Sequence, residues 1–202
     1  MNNFRSPDEY DVTPLFSVPL YEAYVNIPPV DESKISWGTN MVNQISDNQY
    51  ILDEPEYQQL RDEIYVNLKT YWRHVMNASC EAEPEITHSW FNVTYPGQNH
   101  HKHRHPNSYI SGVLFWQYHD SAITFDNDRY NQIEYETDCA TYLNSNTWSV
   151  HPQPGLLLLF PSYQSHSVKP VHDGQEPRLS LSFDTWLRGD VNSIPNQQLT
   201  IG

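Results

Sequence analysis

The segment RLSLSFDTWL, residues 178–187, alternates from Arg178 through Asp184 and comes back into phase at Leu187. Leu179, Leu181, Phe183 and Leu187 fall on one face of an extended chain; Arg178, Ser180, Ser182 and Asp184 fall on the other. That pattern predicts a strand with one apolar and one polar face. GLLLLFP, 155–161, is apolar between its bounding glycine and proline and predicts a strand buried on both faces. EITHSWFNVTY, 85–95, is rich in β-branched and aromatic residues. It predicts a strand on which Ile86, His88, Trp90, Asn92 and Thr94 share one side. Shorter strands are predicted over 109–119, 122–125, 147–152 and 165–171. The piece 14–25 carries Pro14 and Pro19 and reads as an edge strand.

One helix is predicted, over 54–77. Pro55 suits its first turn, and Leu60, Ile64, Leu68 and Trp72 recur every fourth residue, with Tyr57, Tyr71 and Val75 alongside. Residues 1–13 are polar and expected to be loose, and the tail 188–202 is expected to be peripheral. Residues 126–146 read as a long loop of the kind used as a lid or binding loop. No element is predicted over 26–54. A helix followed by many short strands gives a mainly β fold with supporting helices, a sandwich or barrel.

The length of 202 residues predicts a single domain, 1–202, with its barrel core at about 85–187. Hydrophobic residues make up 38% of the chain and aromatics 13%, so the core is expected to rest on Tyr, Trp and Phe as much as on aliphatics. A net charge of −14 disfavours nucleic acid as a partner. No stretch is long and apolar enough to span a membrane, and the first residues lack the basic-then-apolar order of a secretory signal. Cys80 and Cys139 form no CxxC pair and read as buried or incidental. These features predict a cytoplasmic protein, with a symmetric homodimer as the default assembly.

The chemistry-bearing residues cluster. His100, His101, His103 and His105 fall within six positions, directly before an apolar strand. Imidazole is the commonest side-chain ligand for transition metals. In an extended segment His103 and His105 point the same way and can meet one ion. His166, after the apolar strand, can add a third ligand from a different part of the chain. Arg178 follows twelve residues later, with Ser180 on the same face. A guanidinium fork grips a carboxylate, and a neighbouring hydroxyl can donate to it.

Through HRHPNSYISGVLFW (103–116), PGLLLLFPSYQSHSV (154–168) and RLSLSFD (178–184), the sequence resembles the Fe(II)- and 2-oxoglutarate-dependent oxygenases. Within them it is similar to a small family found in marine phages and bacteria. PLFSVPLY, 14–21, is similar to that family as well. The resemblance implies a double-stranded β-helix, a jelly-roll or cupin-like barrel, with iron at its open end. His103 matches the first metal ligand, His105 the second and His166 the distal one. Arg178, assisted by Ser180, matches the site that binds the far carboxylate of 2-oxoglutarate. The implied reaction is oxidation of 2-oxoglutarate to succinate coupled to hydroxylation of a small molecule or a protein side chain. A phage-borne enzyme would act in the host cytoplasm.

One departure stands out. The second ligand is usually Asp or Glu, and three neutral imidazoles hold a hard divalent ion less firmly. Either His105 is the ligand, or a carboxylate such as Asp120 or Asp126 serves, or the pair is His101 with His103. A histidine here fills the space that halogenating relatives leave for a halide, so halogenation is disfavoured. His88, Trp90 and Asn92 could face the site. Tyr109 and Tyr118 are weak candidates for contact with the cosubstrate. His100, His101, His119, His151 and His172 are expected at the surface or behind the ligands. Two other classes stay open: a metal-binding cupin without 2-oxoglutarate, and a non-enzymatic jelly-roll binding or virion protein. Arg178 and Ser180 weigh against the first, which needs no carboxylate clamp.

Overall fold

The computed structural model describes residues 12–128, 135–192, 194 and 197–202. Most of the predicted loose segment 1–13, and the stretch 129–134 of the predicted loop, lie outside the described residues. In chain order the strands are β1 (Tyr21–Tyr24), β2 (Trp37–Asn40), β3 (Asn43–Ser46), β4 (Glu83–Thr94), β5 (His100–His103) and β6 (Ile110–Phe115). They continue with β7 (Ile123–Asp126), β8 (Thr147–Val150), β9 (Leu156–Pro161), β10 (His166–Val168), β11 (Arg178–Asn192) and β12 (Leu199–Ile201). A single α-helix, α1 (Gln58–Thr70), precedes β4 among the described residues.

Two antiparallel sheets face each other. The larger has eight strands in the order β1-β9-β6-β11-β4-β3-β2, with β12 paired to β11; the smaller has four, β5-β10-β7-β8. The sheets do not hydrogen-bond to one another through named strands, so the jelly roll is an open pair of sheets. Its interior is apolar at one end: Val113, Phe115, Leu156, Leu158 and Phe160 of the larger sheet meet Ile123, Phe125 and Val168 of the smaller. Such side chains, fully buried, contribute about 1.5–3 kcal/mol each. A second core lies on the outer face of the larger sheet, where Leu60, Ile64 and Leu68 of α1 pack against Leu114, Leu157, Leu181 and Phe183.

The alternation along 178–187 explains both cores at once. Leu179, Leu181, Phe183 and Leu187 go to the helix side, which turns Arg178, Ser180, Ser182 and Asp184 into the space between the sheets. Gly112 is required by the same packing: a Cβ there would sit 2.1 Å from Cζ of the Phe183 ring.

Several expectations are corrected. β4 carries a bulge at Thr87, where the register passes from Asp184↔His88 to Thr185↔Ile86. The extra residue flips the strand, so Ile86 packs into the helix-side core while Trp90, Asn92 and Thr94 stay on the inner face. The predicted helix is a composite of a 3-10 turn from Pro55, α1, and a π-helical turn at Tyr71–Val75. The wider turn rotates the apolar stripe, and Val75 is exposed. The tail is not peripheral throughout, because β11 runs on to Asn192 and pairs with β12. Of the segment 14–25 only 21–24 is a strand, and it lies at the sheet edge as its prolines suggested. Cys80 is half-buried, Cys139 is exposed, and neither forms a disulfide. Among the described residues no helix is long and apolar enough to cross a membrane.

Candidate metal centre

The four clustered histidines lie mostly on a strand. β5 pairs antiparallel with β10, and the register sets His103 directly opposite His166. Residues opposed in this way project on one side of the sheet, so two parts of the chain more than sixty residues apart in sequence deliver imidazoles to one place. Their ring centroids are 4.3 Å apart. His105 follows β5; its backbone N–H donates to the Ser162 carbonyl at 3.1 Å, which ties it to the end of β9. Its ring lies 5.1 Å from that of His103 and stacks on that of His166 at 5.2 Å. One nitrogen from each of His103, His105 and His166 lies within 4.8 Å of the others.

The second nitrogen of each ring is spoken for. His103 Nδ1 is 2.8 Å from the His101 carbonyl and His166 Nδ1 is 3.0 Å from the Gln164 carbonyl. A carbonyl only accepts, so Nδ1 carries the proton in both rings and Nε2 keeps its lone pair. His105 Nδ1 is 2.9 Å from Asp184 Oδ1, with the same consequence. Three Nε2 lone pairs therefore remain to bind a cation, each ring oriented from behind as metal-binding histidines are. Phe125 and Phe160 wall the site beside His166, at 5.9 and 4.9 Å between centroids. This apolar burial is the main cause that pushes the pKa of His103 down to about 4 and that of His166 well below 6.5. The His103 and His166 rings are neutral at physiological pH, as a metal requires.

The other candidate ligands lie apart. Asp120 accepts hydrogen bonds from Tyr118 and Gln175. Asp126 faces Lys102 at 3.4 Å. Among the described residues neither joins the group of three, and nor does His101. Arg104 points outward to Asp128 at 2.7 Å. His88 is exposed against Tyr50, whereas Trp90 stacks on His105 at 6.0 Å and Asn92 donates to Ser182 Oγ at 3.0 Å. His119 is buried and held by backbone groups, accepting from Ser121 N–H and meeting the Glu176 carbonyl. Tyr118 is exposed and Tyr109 packs on Trp72.

Of the two places expected for His100, the structure gives the one behind the ligands. It stacks on His103 at 4.2 Å. Its pKa is pushed down to about 3, first by burial, then by His103 and His101, with the Arg178 guanidinium adding to the effect. The ring thus lies against His103 and within reach of the Arg178 charge. The sequence held the signal in its spacing, three residues before His103, but the irregular β5–β10 register that turns it inward is not readable from one strand.

Arg178 is 2% exposed. Its guanidinium donates to the Ser121 carbonyl at 3.3 Å and to Thr94 Oγ1 at 3.2 Å, and its Nε has no partner among the described residues. Burial pulls its pKa down to about 10. A buried cation without a counter-charge is costly, and an orphaned donor on it fits an incoming carboxylate. Ser180, on the same face, is buried beside it. The residues present thus fit both a divalent metal and an acidic cosubstrate.

No curated protein matches the sequence. Among solved structures, the chain is similar to the non-heme alpha ketoglutarate dependent epimerase SnoN from nogalamycin biosynthesis, with a TM-score of 0.54 and 11% identity over 80% of this chain and 70% of that one. It is similar to an oxidoreductase of the 2OG-Fe(II) oxygenase family from Burkholderia pseudomallei, with a TM-score of 0.52 and 11% identity over 76% and 73%. A third is HygX from Streptomyces hygroscopicus, solved with nickel, 2-oxoglutarate and hygromycin B bound, at a TM-score of 0.51 and 9% identity over 76% and 74%. At these identities the likeness is one of fold. The sequence itself matches the family model described as "Putative 2OG-Fe(II) oxygenase" over residues 88–184, a stretch that holds all three clustered histidines together with Arg178 and Ser180. Through residues 88–184, close to half of its length, this chain is similar to the 2OG-Fe(II) oxygenase family.

Proposed function

We propose that the protein is an Fe(II)- and 2-oxoglutarate-dependent hydroxylase in which His103, His105 and His166 hold the iron and Arg178, with Ser180, binds the distal carboxylate of 2-oxoglutarate. The observation that carries this reading is the pairing of three free Nε2 atoms with one buried guanidinium that lacks an acidic partner among the described residues. Bound iron supplies the redox chemistry that couples oxidation of 2-oxoglutarate by dioxygen to oxidation of a substrate C–H bond. The chain's residues do the rest. Arg178 orients the cosubstrate by a two-pronged contact that sets which of its ends faces the histidines. Phe125 and Phe160 exclude water behind His166, which strengthens every charge interaction inside. The proposed substrate is a small molecule or a protein side chain, and the proposed setting a cytoplasm, with 1–202 acting as one domain.

The test is succinate formation from 2-oxoglutarate with Fe(II) and oxygen, compared between the parent and His166→Ala. The parent is expected to turn over 2-oxoglutarate slowly even without substrate, and the variant not to. Equal turnover in both would remove His166 from the site.

A further inference from the structure

This inference rests on the metal-site reading above. Among the described residues no carboxylate lies in the group formed by His103, His105 and His166. Three neutral rings leave a hard divalent ion without an anionic ligand. A carboxylate nevertheless stands directly behind one of them, where Asp184 Oδ1 lies 2.9 Å from His105 Nδ1. We propose that Asp184 is a positioning residue for the metal, fixing the His105 ring and supplying through it the negative charge that no direct ligand provides.

Four observations carry this. The three rings are not backed alike: His103 and His166 donate to neutral backbone carbonyls, and only His105 donates to an anion. An anionic acceptor at Nδ1 makes Nε2 a stronger donor to the metal. The carboxylate is itself held in place, because Ser111 Oγ donates to Asp184 Oδ1 at 2.8 Å and is backed by Ser162 at 2.8 Å and Ser108 beyond it at 2.7 Å. The His105 and Asp184 side chains are only 10% and 16% exposed, so solvent screens their contact weakly. Finally, no lysine or arginine pairs with Asp184 among the described residues, so its charge is not spent elsewhere. Asp184 sits on β11 between β4 and β6, which makes its position as rigid as the sheet.

The experiment uses the full chain and cobalt(II) as the probe. The metal's dissociation constant is read by competition with a chromophoric chelator. The exchangeable, hyperfine-shifted imidazole N–H signals are read by proton NMR. The parent is expected to bind cobalt and to show three such signals, one per ligating ring. Asp184→Asn keeps an oxygen that accepts from Nδ1 but removes the charge. It should weaken cobalt binding roughly 10–100-fold, keep three signals and move one. Asp184→Leu should weaken binding at least as far and lose one signal to exchange with water. Ser111→Ala keeps the charge and loosens the carboxylate, so its loss of affinity should be clearly smaller than that of Asp184→Asn. Cobalt affinity in Asp184→Asn equal to the parent's, or an equal loss in Asp184→Asn and Ser111→Ala, overturns the role of Asp184 alone. No cobalt binding by the parent, or undiminished binding by His166→Ala, overturns the metal site itself and this inference with it.

Discussion

Arg178→Met separates a buried brace from a binding residue, because the two roles predict different effects on the metal-free protein. Burial lowers the Arg178 pKa from 12.5 to about 10. At about 1.4 kcal/mol per unit, that shift is a penalty of roughly 3 kcal/mol on the charged form, which methionine relieves. Against this stand two hydrogen bonds, at 3.3 and 3.2 Å, to the Ser121 carbonyl and Thr94 Oγ1. Long charged hydrogen bonds contribute about 1.5 kcal/mol each, so their loss is also roughly 3 kcal/mol. The net change in the metal-free protein is therefore expected near zero, within about 1 kcal/mol by this arithmetic. The response to 2-oxoglutarate is expected to vanish. With manganese(II) in place of iron and the cosubstrate at a hundred times its Kd, the parent gains about 2.7 kcal/mol. For a chain of this size that is roughly 5–10 °C in Tm. Thermal unfolding with and without metal and cosubstrate reads both quantities in one plate. A metal-free variant weakened by about 3 kcal/mol or more, the usual cost of breaking a buried charged network, would make Arg178 a brace. An undiminished response to 2-oxoglutarate would put the carboxylate site elsewhere. Either result refutes the reasoning.

Acidification should destabilise the metal-free protein. His103 titrates near 4 and His166 well below 6.5 when folded, burial being the first cause, while both titrate near 6.5 when unfolded. The unfolded chain takes up protons first, so stability present above pH 6.5 is lost as the pH falls toward 4; urea midpoints at pH 7 and pH 5 measure it, and His166→Phe should flatten the slope. Gly112→Ala places a Cβ 2.1 Å from the Phe183 ring and should cost about 1–3 kcal/mol or more in chemical denaturation, with part returned in Gly112→Ala/Phe183→Leu. Leu158→Ala, in the wholly buried interior beside the site, should cost about 2–5 kcal/mol by the same assay. His100→Phe keeps the stack on His103 but removes both ring nitrogens; it should raise the Kd for 2-oxoglutarate in calorimetry with the cobalt affinity unchanged, since His100 stacks on His103 and feels the Arg178 charge.

Strand periodicity made the inner face of β11 legible, because a one-sided strand must alternate and 178–184 does so through every residue. Arg178, Ser180 and Asp184 were thereby set on one side of the sheet from the chain alone. The partner of Asp184 was not legible, since His105 lies 79 positions earlier and the two meet only through the register of β6 and β11. The same limit hid the bulge at Thr87, which leaves no mark in composition yet reverses the side that Ile86 faces. It also hid β5. His100–His103 has neither alternation nor β-branched residues, and it is extended because β10 offers a free edge to pair with. Val75 departs from the predicted stripe for a different reason: the spacing 60, 64, 68, 72 is helical, but a π turn changes the period at its end.

Charge in the pocket gives the site its order of assembly. Empty of metal, it holds one buried guanidinium and the Asp184 carboxylate, kept apart along β11 with His100 near Arg178. A divalent ion at the histidines leaves the pocket with two positive charges in excess. In a region walled by Phe125, Phe160 and Phe115 that excess is poorly screened. A dianion with one carboxylate at each end matches it in amount, with one end for the metal and the other for the orphaned Nε of Arg178. The cosubstrate should therefore bind tightly only after the metal, and a monocarboxylate of the same length should bind far less well. Removing the charge of Asp184 shifts this balance by one unit. Asp184→Asn should then weaken the metal yet leave the affinity of the loaded site for the dianion undiminished or raised. That opposition of signs is what a merely structural carboxylate would not produce, and titrating 2-oxoglutarate into cobalt-saturated Asp184→Asn measures it directly.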